Sequence, residues 1–453
     1  MTVTVESSPR PLSGWGRTTP TNALVSRPPD ASSVRSLMCD HPDGIIARGL
    51  GRSYGDAAQC SGGLTIDTTG LSHIGSLDET VGTIEVGGGV NLHDLIRRLI
   101  PTNWFVAVTP GTRYVTVGGA IAADVHGKNH HRDGSFARHV VEMTVVTPSG
   151  VVTVAPDRDS ELFWATAGGM GLTGVVVSAV LRLIPIETSW MQVDTQRFTR
   201  LEDLMSTMEQ TDFRYHYSVA WLDCVGGRNG DHRSVLTRGD HAPGSAIPDR
   251  LRGRSHEIPG GPRLRVAHPA PGRLVNRLSV RALNEAWFRA SRESRSSLRP
   301  LAAFFHPLDG VSGWNLLYGR QGFVQYQFAV PAGRADVVED AVAAIASSGV
   351  PSFLAVLKRF GPGTPGPLSF SQEGWTLALD FPLGPSNLPA LLNRLDDAVA
   401  IAGGRVYLAK DSRLRPELLP VMYPRLGDMA RVRRRVDPER VLASDLSRRL
   451  GIR

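Results

Sequence analysis

Cysteine is nearly absent. Cys39, Cys60 and Cys224 are the three in 453 residues, odd in number and without pattern. They build neither a disulfide framework nor a cysteine zinc site, so a fold independent of disulfides, suited to a reducing compartment, is expected. Long apolar runs are also lacking. No stretch of about 18 apolar residues occurs, and the nearest, 174–186, is short and interrupted by Arg182. Residues 1–10 carry no apolar signal-peptide core. A soluble or peripheral protein is expected, not one that spans a membrane. Acidic side chains are outnumbered, with 43 against 50 Lys and Arg for a net charge of +7. Such an excess favours an anionic partner such as phosphate, nucleic acid or an anionic membrane surface. No helix-turn-helix, RNP or zinc-finger pattern is present, which argues against nucleic acid. No internal repeat is seen. His126, His130 and His131 have no suitably spaced acidic or cysteine co-ligand, so no metal site is expected.

Glycine, by contrast, is plentiful at 48 residues, and it is concentrated in motifs. Residues 47–55 read Ala-Arg-Gly-Leu-Gly-Arg-Ser-Tyr-Gly after a short apolar run. Without a Cβ, glycine lets backbone N–H groups converge into a nest for a phosphate or pyrophosphate. No Gly-Lys-Ser/Thr follows, which excludes a P-loop, and the stretch leads toward a strand at 64–67, not into a helix as a Rossmann loop does. A second rich segment runs from Thr109 to His131. Pro110, Gly111 and Thr112 make a turn, and the small residues 117–120 offer backbone to a flat aromatic ligand. His126, Gly127, Lys128 and Asn129 then add polar groups beside that surface. The third, 168–174, matches Gly-x-Gly-x-x-Gly from Gly169. A helical pattern precedes it and a strand, 175–183, follows, the reverse of the Rossmann order.

Around these motifs, residues 20–185 alternate short β-branched runs with glycine turns. A helix capped by Asn91 is predicted over 92–100, ended by Pro101. A hairpin is predicted over 140–154 and a helix over 159–167. From 187 to 402 the pattern changes to period-2 strands at 215–221, 323–329, 353–359 and 375–381, with helices at about 334–348 and 386–402. That spacing predicts an antiparallel sheet with helices on one face. Residues 240–275 are rich in Pro, Gly and Arg, and 250–300 holds 12 arginines against 3 acidic residues. Such a segment is expected to bury little apolar surface and to be mobile.

Taken in order, Arg-Gly-x-Gly-Arg-Ser-Tyr-Gly, Thr-Pro-Gly-Thr…Val-Gly-Gly-Ala-Ile…Asp-Val-His-Gly-Lys-Asn-His and Gly-Gly-Met-Gly-Leu-Thr-Gly resemble the FAD-binding domain of the vanillyl-alcohol-oxidase superfamily, the PCMH-type flavoproteins. Tyr-Ser-Val-Ala-Trp at 217–221, Phe-His-Pro-Leu-Asp at 305–309, Gln-Tyr-Gln-Phe at 325–328 and Val-Tyr-Leu-Ala-Lys-Asp-Ser-Arg at 406–413 are similar to its lipid-linked ribose 2′-oxidases. The resemblance covers nearly the whole chain. It implies an α+β fold: a two-part PCMH-type FAD-binding domain plus an antiparallel-sheet substrate domain with helices. The implied boundaries are 1–187, 188–403 with a mobile basic insertion at about 240–300, and 404–453.

The resemblance implies FAD as cofactor, held by Gly49, Gly51, Arg52, Ser53, Tyr54 and Gly55. Pro110, Gly111, Thr112, Gly118, Gly119, Ala122, His126, Gly127 and Asn129 continue the site, with Gly174, Val176 and Tyr407. Some superfamily members attach the flavin to a histidine near the first loop. Arg52 stands there, so FAD is expected to be non-covalent. Lys410 is the implied positive charge beside the ring system, and a structural lysine paired with Asp411 is the plainer reading. His126 and Tyr54 are both candidates for proton transfer.

The implied substrate is a polyprenyl-phosphate-linked ribose. Lys128, Lys358, Gln325 and Gln327 are expected to hold its hydroxyls and phosphate. Trp221, Phe305 and Phe360 are expected to wall the pocket, with ordinary sheet core the alternative for about half the aromatics. Where the family's strand before Asp-Phe-Pro often carries an active-site cysteine, Ala378 stands here. The implied partners are an anionic membrane surface and an NADH-dependent keto-sugar reductase. A soluble-substrate alditol or aldonolactone-type oxidase is the alternative.

Overall fold

In the computed structural model, residues 7–40, 44–225, 232–257, 260–271 and 274–452 are described. Three sheets organise them. The first has four strands in the order Ser7–Leu12, Thr21–Ser26, Leu64–Asp67, Ile45–Arg48, and the last three run parallel. The second is antiparallel: Ile74–Asp78, Thr83–Gly87, Val175–Pro185, Val140–Thr147 and Gly150–Val154, with Trp104–Val106 extending the pairing of Val175–Pro185. Asn91 caps the helix Leu92–Leu99 through its side chain, and Asp159 caps Ser160–Thr166. Pro101 does not end the first of these helices at once. The chain tightens into a 3₁₀ turn over Ile100–Thr102, where a proline near the start removes no needed donor.

The third sheet is antiparallel throughout. Its order is Ser294–Pro300, Trp190–Phe198, Ser234–His241, Tyr217–Leu222, Ala355–Phe360, Gly374–Pro382, Phe323–Pro331 and Arg405–Val406. Side chains alternate between its faces. Val324, Tyr326, Phe328, Leu377, Leu379, Phe381 and Leu357 join one core with Val338, Val342 and Ile345 of helix Ala335–Ser348 and Leu391, Leu392 and Leu395 of helix Leu388–Ile401. The opposite face is left for the functional cavity. Gly403, at φ +70°, ends the second helix in the left-handed region, and Gly404 then lies under the Ala329 carbonyl.

Regular structure reaches further into the arginine-rich segment than composition suggests. Ser294–Pro300 forms an edge strand of the third sheet, and Arg277–Ala290 is a 14-residue helix with a capping box between Asn276 and Ser279. Among the described residues, no helix is long and apolar enough to cross a membrane.

The chain's end closes the fold. Ile45 N–H donates to Val441 C=O and Ala443 N–H to Ile45 C=O, laying 441–443 beside the first sheet. Arg449 clamps this return. Its guanidinium donates to both oxygens of Asp56 at 2.8 and 2.9 Å and to Asp411 at 2.8 Å. Both carboxylates are almost fully buried, at 5% and 3% side-chain exposure. Removing the arginine leaves two buried charges uncompensated, the costly way to break an ion pair. Arg449→Ala should lower the unfolding free energy by about 3 kcal/mol, measured as a fall in the urea midpoint. A loss below about 1 kcal/mol would place the arginine with weak surface pairs instead.

Candidate functional site

A cavity with about 300 Å³ of water-accessible space lies between the first two sheets and the free face of the third. Its N-terminal wall is mostly backbone and small side chains. From the first glycine stretch, Gly49, Gly51, Arg52, Ser53 and Tyr54 line it. Gly51 sits at φ +64°, a conformation that favours glycine. From the second stretch come Pro110, Gly111, Thr112, Gly118, Gly119, Ala122 and His126, and from the third Gly174 and Val176. Tyr407 and Lys410 enter from the C-terminal return. Tyr54 N–H donates to the Ala409 carbonyl at 2.9 Å, which ties the first loop to that return.

The third sheet supplies the other wall by register. Trp221 lies opposite Val356, Val356 opposite Ala378, and Ala378 opposite Gln327. Directly opposed residues share a face, so this row crosses four strands on the cavity side. One step along, Gln325 opposes Asp380; one step the other way, Lys358 opposes Thr376. Gln325, Gln327, Leu354, Val356, Lys358 and Ala378 line the space.

Four titratable groups converge here. Gln327 Nε2 donates to Thr376 Oγ1 at 2.9 Å and meets His126 Nε2 at 3.1 Å. His126 Nε2 then accepts, so its proton sits on Nδ1, which faces Lys358 Nζ at 2.9 Å. Lys358 also donates to the Gly127 carbonyl at 3.2 Å. This set of bonds closes with His126 and Lys358 both uncharged. Burial, followed by the two amines of Lys358 and Lys410 beside it, holds His126 well below its ordinary value, and burial holds Lys358 well below that of a lysine. On the other side, Asp380 accepts from Gln325 Nε2 at 2.5 Å and from the Tyr318 hydroxyl at 3.4 Å. Burial raises the Asp380 carboxyl, and Lys410 and Gln325 oppose the rise. Burial lowers Lys410, and Asp380 opposes the fall. Lys410 is therefore coupled to Asp380, whereas Asp411 faces Arg449. The Tyr54 phenol is pushed well above its ordinary value by burial and by Asp380.

Seven expected site residues lie outside the lining. Gly55 packs under the Asp411 carbonyl, where a Cβ would come within 1.9 Å of the oxygen. Asn129 is a buried brace that donates to Ala107 C=O and to Asp133, and Gly127 is wedged between Asn129 and the Thr109 carbonyl. Lys128 donates to the Phe304 carbonyl and sits over the Phe304 ring. Phe305 is core, packed on Phe105 and Tyr217, because its five-residue helix turns it inward. Phe360 backs His126 and His130 at 4.8 and 4.2 Å between ring centroids, supporting the histidine and not the space itself. Trp221 shares the cavity face but lies one strand beyond the lining. Conversely, Asp380 and the rim pair Trp15 and Trp314 were not anticipated. Asp380 was within reach, because i+2 from Ala378 on a strand means the same face. No local signal marks Trp15, which lies 3.9 Å beneath the Arg52 guanidinium.

A family model described as an FAD binding domain matches residues 23–155. The decaprenylphosphoryl-β-D-ribose oxidase of Mycolicibacterium smegmatis is 40% identical over 448 residues, covering 97% of each chain. This chain belongs to the decaprenylphosphoryl-β-D-ribose oxidase family. An uncharacterised protein of Streptomyces coelicolor is 44% identical over 371 residues, 80% of this chain and 100% of its own. A rice cytokinin dehydrogenase shares 30% identity over 200 residues, 40% of this chain.

FAD is the cofactor of this family member, and the cavity suits it. The N-terminal wall is bare backbone from three glycine motifs. Gly111 has no atom within 4 Å of where a Cβ would stand, so its surface is open to a ligand. Arg52 Nε, Gln325 Oε1 and Gln327 Oε1 are buried without a hydrogen-bond partner, and all three belong to lining residues. Such atoms call for a polar ligand. No histidine or cysteine lies in the 49–55 loop, and both ring nitrogens of His126 are engaged. Acid precipitation of the holoprotein should therefore release all its FAD into the supernatant. Yellow colour retained in the washed pellet would show a covalent bond.

Proposed function

We infer that this protein oxidises the 2′-hydroxyl of decaprenylphosphoryl-β-D-ribose to the 2′-keto sugar, with FAD as the two-electron acceptor. The observation that carries this is likeness along the whole chain, both halves of the cavity included, to a relative named as the oxidase of that compound.

In this reading the His126–Lys358 pair receives the hydroxyl proton as a unit. Its uncharged state supports the role, since a base must be free to accept. Tyr54 is a poor base, because its phenol holds its proton far above neutral pH. Lys410 supplies a compact positive charge where negative charge grows, and the charge of Asp380 favours the charged amine. The unpartnered oxygens of Gln325 and Gln327 accept from sugar hydroxyls. Ala378 leaves this chemistry intact, because no step requires a thiol at that place. The polyprenyl tail stays in the bilayer, which makes the protein peripheral to an anionic membrane surface. The keto product passes to an NADH-dependent reductase that completes an epimerisation toward the arabinose donor of cell-wall arabinan.

Anaerobic mixing of the holoenzyme with farnesylphosphoryl-β-D-ribose should bleach the flavin absorbance. Retained yellow colour, with bleaching by a soluble alditol instead, would overturn the lipid-linked substrate. His126→Ala should lower kcat/KM by about 10²–10⁴-fold, the usual worth of a proton-transfer group, at unchanged FAD content. The pH profile has a definite sign. Since His126 lies below 6.5, the pair stays able to accept a proton through the ordinary histidine range. The acid limb of kcat/KM should fall below pH 6.5, and a limb at or above that value would remove the pair from the role.

A further inference from the structure

Most surface helices turn a polar face to water. The helix Arg277–Ala290 does the opposite. Its inner face is the polar and anchored one. Asn284 is buried and donates to Asp223 at 2.8 Å, Glu285 pairs with Arg233 at 2.5 Å, and Phe288 lies between the guanidinium groups of Arg197 and Arg233. Val280 completes the buried side. The outer face holds Leu278, Leu283 and Trp287, exposed by 80, 47 and 50%, with Ala282, Ala286 and Ala290 between them. Leu274 and Leu264, on the approach to the helix, are 53 and 66% exposed. Five of the eleven large apolar side chains exposed among the described residues thus fall within 264–287. Scattered exposed leucines need no explanation, but five large apolar side chains exposed within 24 residues of chain do.

Charge around this face has one sign. Arg277, Arg281 and Arg289 lie along its Leu278 edge, all exposed. The helix's one acidic residue, Glu285, is paired with both Arg233 and Arg289. An apolar face edged by arginines complements a bilayer with anionic headgroups: the side chains enter the acyl boundary and the guanidinium groups meet phosphate. A second copy packed two-fold on the same face would bring these arginines near their own kind.

The patch is joined to the cavity. Leu264–Arg265 pairs with Val311–Ser312, and Ala270 N–H donates to Leu316 C=O. Val275 packs with Trp314 and Tyr318, and Trp314 lines the cavity. The chain that carries the apolar face is therefore the same chain that builds the rim.

We propose that the outer face of the 277–290 helix, with Leu264 and Leu274, is the docking surface of this protein on an anionic lipid bilayer, seated so that the cavity rim meets the headgroup layer. The proposal deepens the lipid-linked substrate reading, and the measurement that decides it, vesicle binding, needs no substrate. The holoenzyme is floated with vesicles of phosphatidylglycerol and phosphatidylcholine, and with phosphatidylcholine alone. Wild type should float with the anionic vesicles, at least tenfold more than with neutral ones, and less at high salt. The double variant Leu278→Glu/Trp287→Glu should lose at least tenfold of that binding while oxidising a short-chain, water-soluble prenylphosphoryl ribose at the wild-type rate, which also reports its fold. Arg281→Glu/Arg289→Glu should lose the preference for anionic lipid. Equal flotation of wild type and the apolar double variant would overturn the proposal. So would a dimer in light scattering that the same variant dissolves, because the face would then be a contact between copies. Vesicle binding without turnover of any prenylphosphoryl ribose would leave the docking surface standing and remove the substrate reading alone.

Discussion

Lys410 reaches the cavity because Gly55 has no side chain. The Asp411 carbonyl lies 1.9 Å from the place a Cβ would take. Any larger residue at 55 would push the C-terminal return off the first glycine loop. The same junction is bonded by Tyr54 N–H to Ala409 C=O and clamped by Arg449 across Asp56 and Asp411. One wall of the cavity is thus made by segments more than 350 residues apart in sequence. Their contact is a backbone-to-backbone approach that only glycine permits.

The other wall follows from alternation along the third sheet. Odd positions on 323–331 and even positions on 355–360 and 374–382 face inward, so Gln325, Gln327, Val356, Lys358, Ala378 and Asp380 become neighbours without any of them being adjacent in sequence. Burial of these side chains sets the chemistry. Desolvation penalises charge, so it pushes His126 and Lys358 toward their neutral forms, and it opposes the charges on Lys410 and Asp380 that each of these favours in the other. The two lysines differ because one is bonded to a histidine and the other is acted on by the charge of a carboxylate.

The arginine-rich segment shows how composition and structure can diverge. Its Pro, Gly and Arg content points to a solvated insertion, yet it contributes an edge strand and a capped helix. What distinguishes the helix is the direction in which it is turned. A periodic apolar stripe reads in sequence as a core face, and here the core takes Val280 and Asn284 while the leucines and Trp287 face outward.

The glycine motifs and their order were legible from the chain itself, and with them the FAD-binding N-terminal region. So were four of the third sheet's eight strands, the hairpin at 140–154 and the helix capped by Asn91, because each depends on spacing over a few residues. Fifteen of the eighteen expected cofactor residues line the cavity for the same reason: a loop that must expose backbone carries its signal locally. The misplaced residues, Phe305, Phe360, Lys128 and Asn129 among them, share a different origin. Their types suit a polar or aromatic pocket equally well as a brace behind one, and only the packing direction of a short helix or strand end separates the two. Asp380 as the partner of Lys410, the neutral His126–Lys358 pair and the outward turn of the 277–290 helix were decided by tertiary structure alone, since each depends on which distant side chain, or which solvent, stands opposite.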